Sequence, residues 1–290
     1  MQLYRGAGQK IKPYLFLLPM LLFAVFFVYY PFLKTFLYSF STVNVMGQMT
    51  GFAGFENYAY LFSRREFSTA LFNTLKLTAM NVPLTLVITL LLARLLKKRR
   101  RFTGVFETLI ASTMAVSMGA ASLIFKVFLN PTVGLLNHWL GLSVGWYQDR
   151  NTALYGILLL TVWMGIGYNF LLFLSAFRSV PLDMLESARL DGAGAWTVFF
   201  KMELPMIFPT IVYMVCTNTI LALMTSGPIL ILTQGGPARS TTTLIYLMYT
   251  TGYGSNNYSM AACVSVVTFG ITLLFTLVSL YADGKKAQYA

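Results

Sequence analysis

Hydrophobic residues along the chain are gathered into six long runs that are separated by short polar stretches. A membrane-spanning helix needs about 20 predominantly apolar residues to cross a hydrocarbon core of about 30 Å. The first run is too long for a secretory signal and no small-residue cleavage site follows it, so we interpret it as a retained helix. The pattern predicts an all-α integral membrane protein with six transmembrane helices. The runs cover residues 14–38, 70–96, 104–129, 153–177, 206–232 and 258–281.

Composition supports a membrane protein and excludes several other classes. Of the 290 residues, 57% are hydrophobic and 10% are charged, whereas a soluble domain has about 25% charged residues. An ordinary soluble enzyme, a disordered chain and a disulfide-rich secreted module are therefore excluded. Cys216 and Cys263 both lie inside apolar runs, where thiols behave as small hydrophobic groups. They indicate no disulfide framework and no metal site.

The distribution of the net charge of +12 predicts the orientation in the membrane. With the N-terminus in the cytoplasm, two thirds of the 21 lysine and arginine residues fall in the inner segments. This asymmetry predicts that both termini are cytoplasmic (N-in, C-in). The basic run at 97–101 lies in a short turn between two apolar runs, so we interpret it as a topology anchor and not as a nucleic-acid site. The inner segments are residues 1–13, 94–103, 178–205 and 282–290.

The sequence offers few residues that could act in catalysis, metal binding or proton transfer. The middles of the apolar runs contain essentially no ionisable residue, and the one histidine, His138, lies in a predicted outer loop. Neither the G-x-x-x-x-G-K-[ST] phosphate loop nor the H-E-x-x-H metal motif is present in the sequence. We predict no catalytic residue, no metal and no proton relay, so energy for uphill transport would have to enter through a partner.

The inner segment at 180–205 is longer and more amphipathic than the other inner segments. Pro181 at a first helical position and Asp183 in the first turn are helix-start signals. Gly192 and Gly194 predict that the helix ends there. A compact surface helix that ends in glycines suits docking into a groove of another protein. The alternative is an amphipathic helix that lies on the membrane surface.

This segment resembles the EAA loop of ABC-importer permeases, a pattern of E-A-A, three residues, G, nine residues and I-x-L-P. Ser187 replaces an alanine and Met202 replaces the isoleucine, but the spacing is intact. Stretches at 70–75, 128–137 and 232–237 agree with the carbohydrate branch, which includes maltose and glycerol-3-phosphate permeases. The resemblance covers roughly residues 10–283. It rests here on Glu186-Ser187-Ala188, Gly192 and Met202-x-Leu204-Pro205.

The resemblance implies a multi-pass permease subunit of the bacterial plasma (inner) membrane. Its transmembrane domain would cover residues 14–283, with an EAA loop at about 181–205 and cytoplasmic ends at 1–13 and 284–290. It implies a heterodimer with a second homologous permease, two ATP-binding cassette subunits that hold ATP and Mg, and an extracytoplasmic solute-binding protein, with no cofactor on this chain. The loop would be a coupling helix seated in an ATPase. The residues implied in ATPase coupling are Glu186, Ser187, Ala188, Arg189, Asp191, Gly192 and Ala193.

The resemblance also implies that the helices flanking the loop bind a sugar. Thr161, Gly165 and Tyr168 share one helix face, with Asn169 one step aside. Asn218 is a mid-span amide, which is costly in lipid unless it faces a partner or a cavity. These five residues form the predicted substrate path, and Asn81 and Trp163 are further candidates. The alternative is that they only pack helices together.

Several functions remain open from the sequence. The first is ATP-driven import of a sugar or oligosaccharide, and within that class glycerol-3-phosphate or another small polar solute is an alternative. Ser226-Gly227 stands where many relatives carry an aromatic–acidic pair, which leaves the substrate class open. An ATP-independent secondary carrier or channel is an alternative of a different class. A membrane scaffold without transport activity is another.

Overall fold

The computed structural model describes residues 7–286, without the side chains of 7–13, 15, 280 and 282–286. Five helices of this part are long and apolar enough to cross a membrane, and a bent helix pair would make a sixth crossing. They confirm the first, second, fourth, fifth and sixth predicted runs. The predicted ends at 1–13 and 284–290 fall partly outside the described residues. The five helices are Phe16–Ser39, Arg65–Leu96, Ala153–Ser179, Phe208–Leu232 and Tyr258–Ser279.

The chain divides into two compact units, of which the first contains the residues up to Ser63 and Met248–Val267. A two-stranded antiparallel hairpin, which the hydrophobic pattern did not predict, pairs Ser41 with Phe52. The Asn57 amide donates to the carbonyl oxygens of Ser39 and Ser41, at 3.2 and 3.0 Å. The elements in this region are α1 (Ala7–Ala24), a π-helical turn (Val25–Tyr29), α2 (Tyr30–Ser39), β1 (Ser41–Val43), β2 (Met49–Phe52) and α3 (Glu56–Ser63).

The second unit contains Arg64–Leu247 and the residues from Thr268 onward. Its helices begin with α4 (Arg65–Leu96), α5 (Thr103–Ala111), a 3₁₀ turn (Ser112–Ala115), α6 (Met118–Phe128), α7 (Leu135–Leu140) and α8 (Ala153–Ser179). They continue with α9 (Leu182–Leu190), α10 (Ala195–Val198), a π-helical turn (Phe199–Glu203), α11 (Leu204–Met206), α12 (Phe208–Leu223), α13 (Gly227–Leu232) and α14 (Leu244–Tyr249). A further π-helical turn (Thr250–Gly254) precedes α15 (Tyr258–Lys286).

Helices α4 and α8 form the centre of the second unit. One cluster of buried side chains joins them to the 180–205 segment and α12, and includes Phe170, Phe173, Phe177 and Phe199. A second cluster joins the same two helices to α6 and α13. Because lipid is as apolar as leucine, close packing and interhelical hydrogen bonds hold such bundles together, and the hydrophobic effect between helices contributes little.

The third apolar run differs from the prediction of one continuous helix over 104–129. Thr103–Ala115 and Met118–Phe128 meet at an angle of 103°. Val116 is extended, and the Ser117 hydroxyl caps the new helix by accepting from the Ala120 N–H at 3.3 Å. Hydropathy continues unbroken through this point because a serine cap between apolar residues barely changes the average. The run is therefore a bent pair, and the continuous helix was wrong.

Helix α8 approaches this bend closely at Gly167. Its N–H lies 3.0 Å from the Thr113 hydroxyl oxygen, and a Cβ added there would lie 2.5 Å from that oxygen and 2.7 Å from the Met114 Cγ. We expect Gly167→Ala to lower the free energy of unfolding by about 1–3 kcal/mol, because overpacking forces neighbouring atoms to move. Thermal unfolding of the purified protein in detergent measures this.

The matched control is Gly270→Ala, a glycine in α15 around which a Cβ would meet nothing within 4 Å. We expect this variant to unfold at the parent temperature or above it, because alanine is the better helix former. Equal unfolding temperatures for the two variants would contradict the close approach at Gly167.

Candidate functional site

Two regions of the second unit carry the residues that the sequence singles out, and the first is the segment 181–205. Its first helix, α9, begins at Leu182. Pro181 precedes it with an extended backbone (φ −58°, ψ 127°), so it occupies the N-cap position, one residue before the first helical position that was predicted. Asp183 lies in the first turn, where a carboxylate interacts favourably with the helix dipole.

The end of α9 is closed by a Schellman motif at Gly192. Its φ of +83° lies in the left-handed region that favours glycine. The Ala193 N–H donates to the Ala188 carbonyl oxygen at 2.9 Å, and the Gly192 N–H donates to that of Arg189 at 3.1 Å. The predicted helix end at Gly192 is therefore confirmed, and its physical reason is the backbone conformation at this residue.

The predicted coupling residues divide between two faces of this helix and turn. Leu185 is 6% exposed and anchors α9 in the buried cluster, and half-buried Ala188 and Ala193 pack against the same cluster. The opposite face is open and carries apolar as well as charged groups, with Leu190 89% exposed. The exposed residues among those predicted are Glu186, Ser187, Arg189, Asp191 and Gly192.

Basic side chains surround the base of this segment. The Arg178 guanidinium pairs with the Glu107 carboxylate and donates to the backbone carbonyl oxygens of Leu96 and Lys97, each at 3.3 Å. This joins the end of α8 to the turn that follows α4. Arg189 of α9 lines a cavity of about 590 Å³ together with the residues of that turn. The turn 97–101 and the exposed face of α9 are thus neighbours.

The second region is an open cavity of about 410 Å³ lined by α4, α8, α12 and the break before α13. No charged residue lines it within the described part of the chain, and its polar groups are amides and hydroxyls. Three of the five predicted path residues line it, as does the further candidate Asn81. The residues that line it include Asn81, Met118, Thr161, Gly165, Asn218, Thr225, Ser226 and Gly227.

Amide hydrogen bonds hold the walls of this cavity together. The Asn81 amide donates to the Thr161 hydroxyl at 2.8 Å, which joins α4 to α8. Asn169 and Asn218 are 2% and 6% exposed. Each donates to the other's side-chain oxygen, at 3.1 and 2.6 Å, which joins α8 to α12. Asn169 lies behind Asn218 and does not line the cavity.

Tyr168 and Trp163 lie outside the lining of the cavity, and Gly165 both lines it and packs against a neighbouring helix. Tyr168 does not line the cavity, and its hydroxyl lies 3.4 Å from that of Tyr213 on α12. Gly165 lines the cavity and also allows α4 to pack closely against α8, because a Cβ there would lie 3.0 Å from the Thr85 Cγ2. The Trp163 ring packs against Phe125 at 5.5 Å between centroids and likewise lies outside the lining.

The break between α12 and α13 contributes to the cavity, which the hydrophobic pattern did not predict. Met118, Thr225, Ser226 and Gly227 line the cavity there. A Cβ on Gly227 would lie 2.1 Å from the Met118 Cε, so this glycine leaves room for the methionine. The available signal was the Ser226-Gly227 departure from the pattern of related chains.

The described residues contain no group of three or more His, Cys, Asp or Glu that could hold a metal ion. A G-x-S-x-G string does occur at 141–145, between α7 and α8. This string does not indicate a hydrolase, because a nucleophile elbow lies on a turn from a strand to a helix. Here the element before the string is a helix, α7 (Leu135–Leu140), and not a strand.

Comparison with known proteins places this architecture in a family. Residues 85–286 match the family described as binding-protein-dependent transport system inner membrane component. The sn-glycerol-3-phosphate transport system permease protein UgpA of Pectobacterium atrosepticum is 33% identical over 281 residues, which is 96% of this chain and 95% of the relative. The same permease of Salmonella typhi is 32% identical over the same shares.

Solved transporters share the fold. A chain of a bacterial alginate ABC transporter, crystallised with an alginate pentasaccharide-bound periplasmic protein, has a TM-score of 0.82 at 22% identity and covers 94% of this chain and 95% of that chain. A chain of the MetNI methionine ABC transporter, in an inward-facing conformation, has a TM-score of 0.59 at 17% identity and covers 79% of this chain and 98% of that chain. The predicted resemblance to importer permeases is confirmed. The chain belongs to the inner membrane components of binding-protein-dependent transport systems, which are multi-pass permeases.

Proposed function

We propose that this chain is one permease subunit of an ATP-driven, binding-protein-dependent importer for a neutral sugar or oligosaccharide. The observation that carries the substrate class is the cavity between α4, α8 and α12, whose polar groups are all uncharged. Its volume of about 410 Å³ falls within the range of small-molecule sites. Asparagine amides both donate and accept hydrogen bonds, as sugar hydroxyls do, so Asn81 suits such a solute. Asn218 gives its amide hydrogens to Asn169 and Met214 and would contribute its side-chain oxygen as an acceptor.

An anionic solute is the second candidate, because the relatives are named as sn-glycerol-3-phosphate permeases and a solved transporter of the same fold is involved in the import of the acidic polysaccharide alginate. A phosphate or carboxylate group calls for a charge-assisted partner such as arginine. The cavity lining of this chain offers none among its described residues, so the cation would have to come from the second permease subunit.

The energy would enter through α9. Its exposed residues, from Leu182 to Leu190, suit a groove on an ATPase subunit. In this proposal six spans run with both termini in the cytoplasm, the bent pair α5–α6 counting as the third. Closure of two ATPase subunits on ATP and Mg would stabilise one of two states of the cavity. A second homologous permease and an extracytoplasmic solute-binding protein would complete the assembly.

Affinity purification of this chain in mild detergent tests the assembly. We expect mass spectrometry to identify a second permease of the same family and an ATPase with a phosphate-binding loop. Recovery of this chain alone, with solute flux in liposomes that needs no ATP, would contradict the proposal in favour of a carrier or channel. Uptake of glycerol-3-phosphate and not of any neutral sugar would replace the proposed substrate class.

A further inference from the structure

Side chains at the end of α4 contact the segment that follows α9. The Arg94 guanidinium donates to the Ala195 carbonyl oxygen at 3.0 Å and lies over the Phe199 ring, 3.9 Å from its centroid. The Lys97 ammonium, just after α4, forms an ion pair with the Glu203 carboxylate. We call Arg94, Lys97 and Glu203 the α4 clasp. It joins two parts of the chain that are more than a hundred positions apart in sequence.

Glu203 is unusually placed for a carboxylate. Its side chain is 2% exposed and that of Lys97 is 18% exposed, whereas glutamate is almost never fully buried unless it is paired. The second carboxylate oxygen of Glu203 has no hydrogen-bond partner among the described residues. A buried ion pair adds little net stability, because removing both charges from water costs about as much as their attraction returns. We therefore expect this ion pair to fix the relative position of the two segments and to add little to the free energy of unfolding.

The position of the clasp links the two regions described above. Glu203 ends the π-helical turn after α10 and directly precedes α11. From Lys97, α4 runs back to Asn81 in the cavity wall, over about 24 Å at 1.5 Å per residue. Helix α9 is joined to α8 and α12 by the chain itself, but α4 has no such connection to it. Movement of the segment 181–205 therefore reaches α4 directly through side-chain contacts, which are the packing of the buried cluster and the polar contacts of the clasp.

We propose that Lys97 and Glu203 are positioning residues that transmit movement of the coupling helix to α4, and through α4 to the cavity wall at Asn81. This rests on the proposed function as an ATP-driven permease. The pair fixes the π-helical turn Phe199–Glu203 to the end of α4, so that the two move as one body when the ATPase subunits close. Arg94 holds the beginning of the same segment at Ala195 and Phe199.

A double substitution separates this role from stability. In Lys97→Met/Glu203→Met an apolar pair of similar length replaces the ion pair, which buried sites commonly tolerate. We expect the complex to assemble with its ATPase, but to import at least fivefold less solute per ATP hydrolysed in proteoliposomes. The charge-exchanged variant Lys97→Glu/Glu203→Lys should recover the parent ratio within twofold. Lys98→Met is the matched control, because Lys98 is exposed and forms no ion pair within the described residues.

A parent ratio in Lys97→Met/Glu203→Met, or no recovery in the charge-exchanged variant, would overturn the proposal while leaving the permease function intact. An equal loss in Lys98→Met would also overturn it, because the loss would then follow from any change to the basic turn. Absence of ATP-dependent uptake in the parent complex would overturn the permease function and the clasp together.

A distance measurement tests the movement itself. Spin labels at Leu95→Cys and Lys201→Cys occupy exposed sites on α4 and on the π-helical turn Phe199–Glu203, in a background with Cys216→Ala and Cys263→Ala. We expect the inter-label distance in the parent complex to be the same without nucleotide and with ATP bound. In Lys97→Met/Glu203→Met we expect it to differ between the two states. A change in the parent, or no change in the variant, would overturn the clasp.

Discussion

Solute uptake by the assembled complex is expected to fall at least tenfold when Gly192 is replaced by valine. Gly192 closes α9 with a φ of +83°. A β-branched residue there is a genuine outlier, and the left-handed conformation costs about 1–2 kcal/mol even for ordinary L-residues. The Schellman turn would open, and the exposed residues from Glu186 to Asp191 would lose their fixed direction. The measurement is ATP-dependent uptake in proteoliposomes, together with the amount of ATPase that co-purifies.

Gly194→Val is the matched control for this prediction. A Cβ on either glycine would meet nothing within 4 Å, so both sites have room for a side chain. Gly194 has an ordinary extended backbone (φ −69°, ψ 161°) that valine adopts without strain. We expect uptake by the control to stay within twofold of the parent. Equal losses in the two variants would show that bulk on the surface, and not the left-handed backbone, decides docking.

The second large effect is expected in the cavity. Asn218→Leu, which keeps a side chain branched at Cγ but removes both of its hydrogen-bonding groups, should lower uptake at least tenfold while the ATPase still co-purifies. It removes the Asn218 side-chain oxygen, which could accept from a solute in the cavity that this residue lines, and leaves the Asn169 amide without its partner on α12. A site built to hydrogen-bond a solute hydroxyl discriminates strongly through such a group. The measurement is the concentration dependence of uptake in proteoliposomes.

Thr217→Val is the control that tests whether removing any polar side chain from α12 lowers uptake as much as Asn218→Leu. The Thr217 hydroxyl donates to the Tyr213 carbonyl oxygen at 2.9 Å, and the residue does not line the cavity. We expect uptake close to that of the parent. If Asn218→Leu instead lost its ATPase, or if Thr217→Val were equally impaired, Asn218 would have to be interpreted as a packing residue.

Hydropathy predicted the spans well because lipid exposure demands about 20 apolar residues in a row. The same reasoning failed at Val116 and Ser117, where the average stays apolar while the backbone turns by 103°. The span predicted at 206–232 is confirmed as Phe208–Leu232, but it contains a break that hydropathy did not show, since α12 ends at Leu223 and α13 begins at Gly227. At both breaks, serine, threonine or glycine interrupts a hydrophobic run. Hydropathy averaged over a long window does not show such a short interruption.

Helical spacing predicted the cavity residues in part. Thr161 and Gly165 line the cavity as their shared face suggests, and Tyr168 shares that face but lies one turn beyond the lining. Spacing gives the direction of a side chain around the helix axis, but not where along the axis a cavity ends. Asn169, one step aside, points instead to Asn218 on the next helix. Contacts between elements distant in sequence, such as Lys97 with Glu203, lie beyond any local pattern.

Uptake of labelled solute by the purified complex in proteoliposomes tests the central claim most directly. The complex should contain this chain, the second permease and the ATPase subunits, and should be supplied with the solute-loaded binding protein. Our account predicts accumulation that requires both ATP and the binding protein and that stops when the ATPase is inactivated. Flux of equal rate without ATP would contradict it and would assign the chain to carriers or channels.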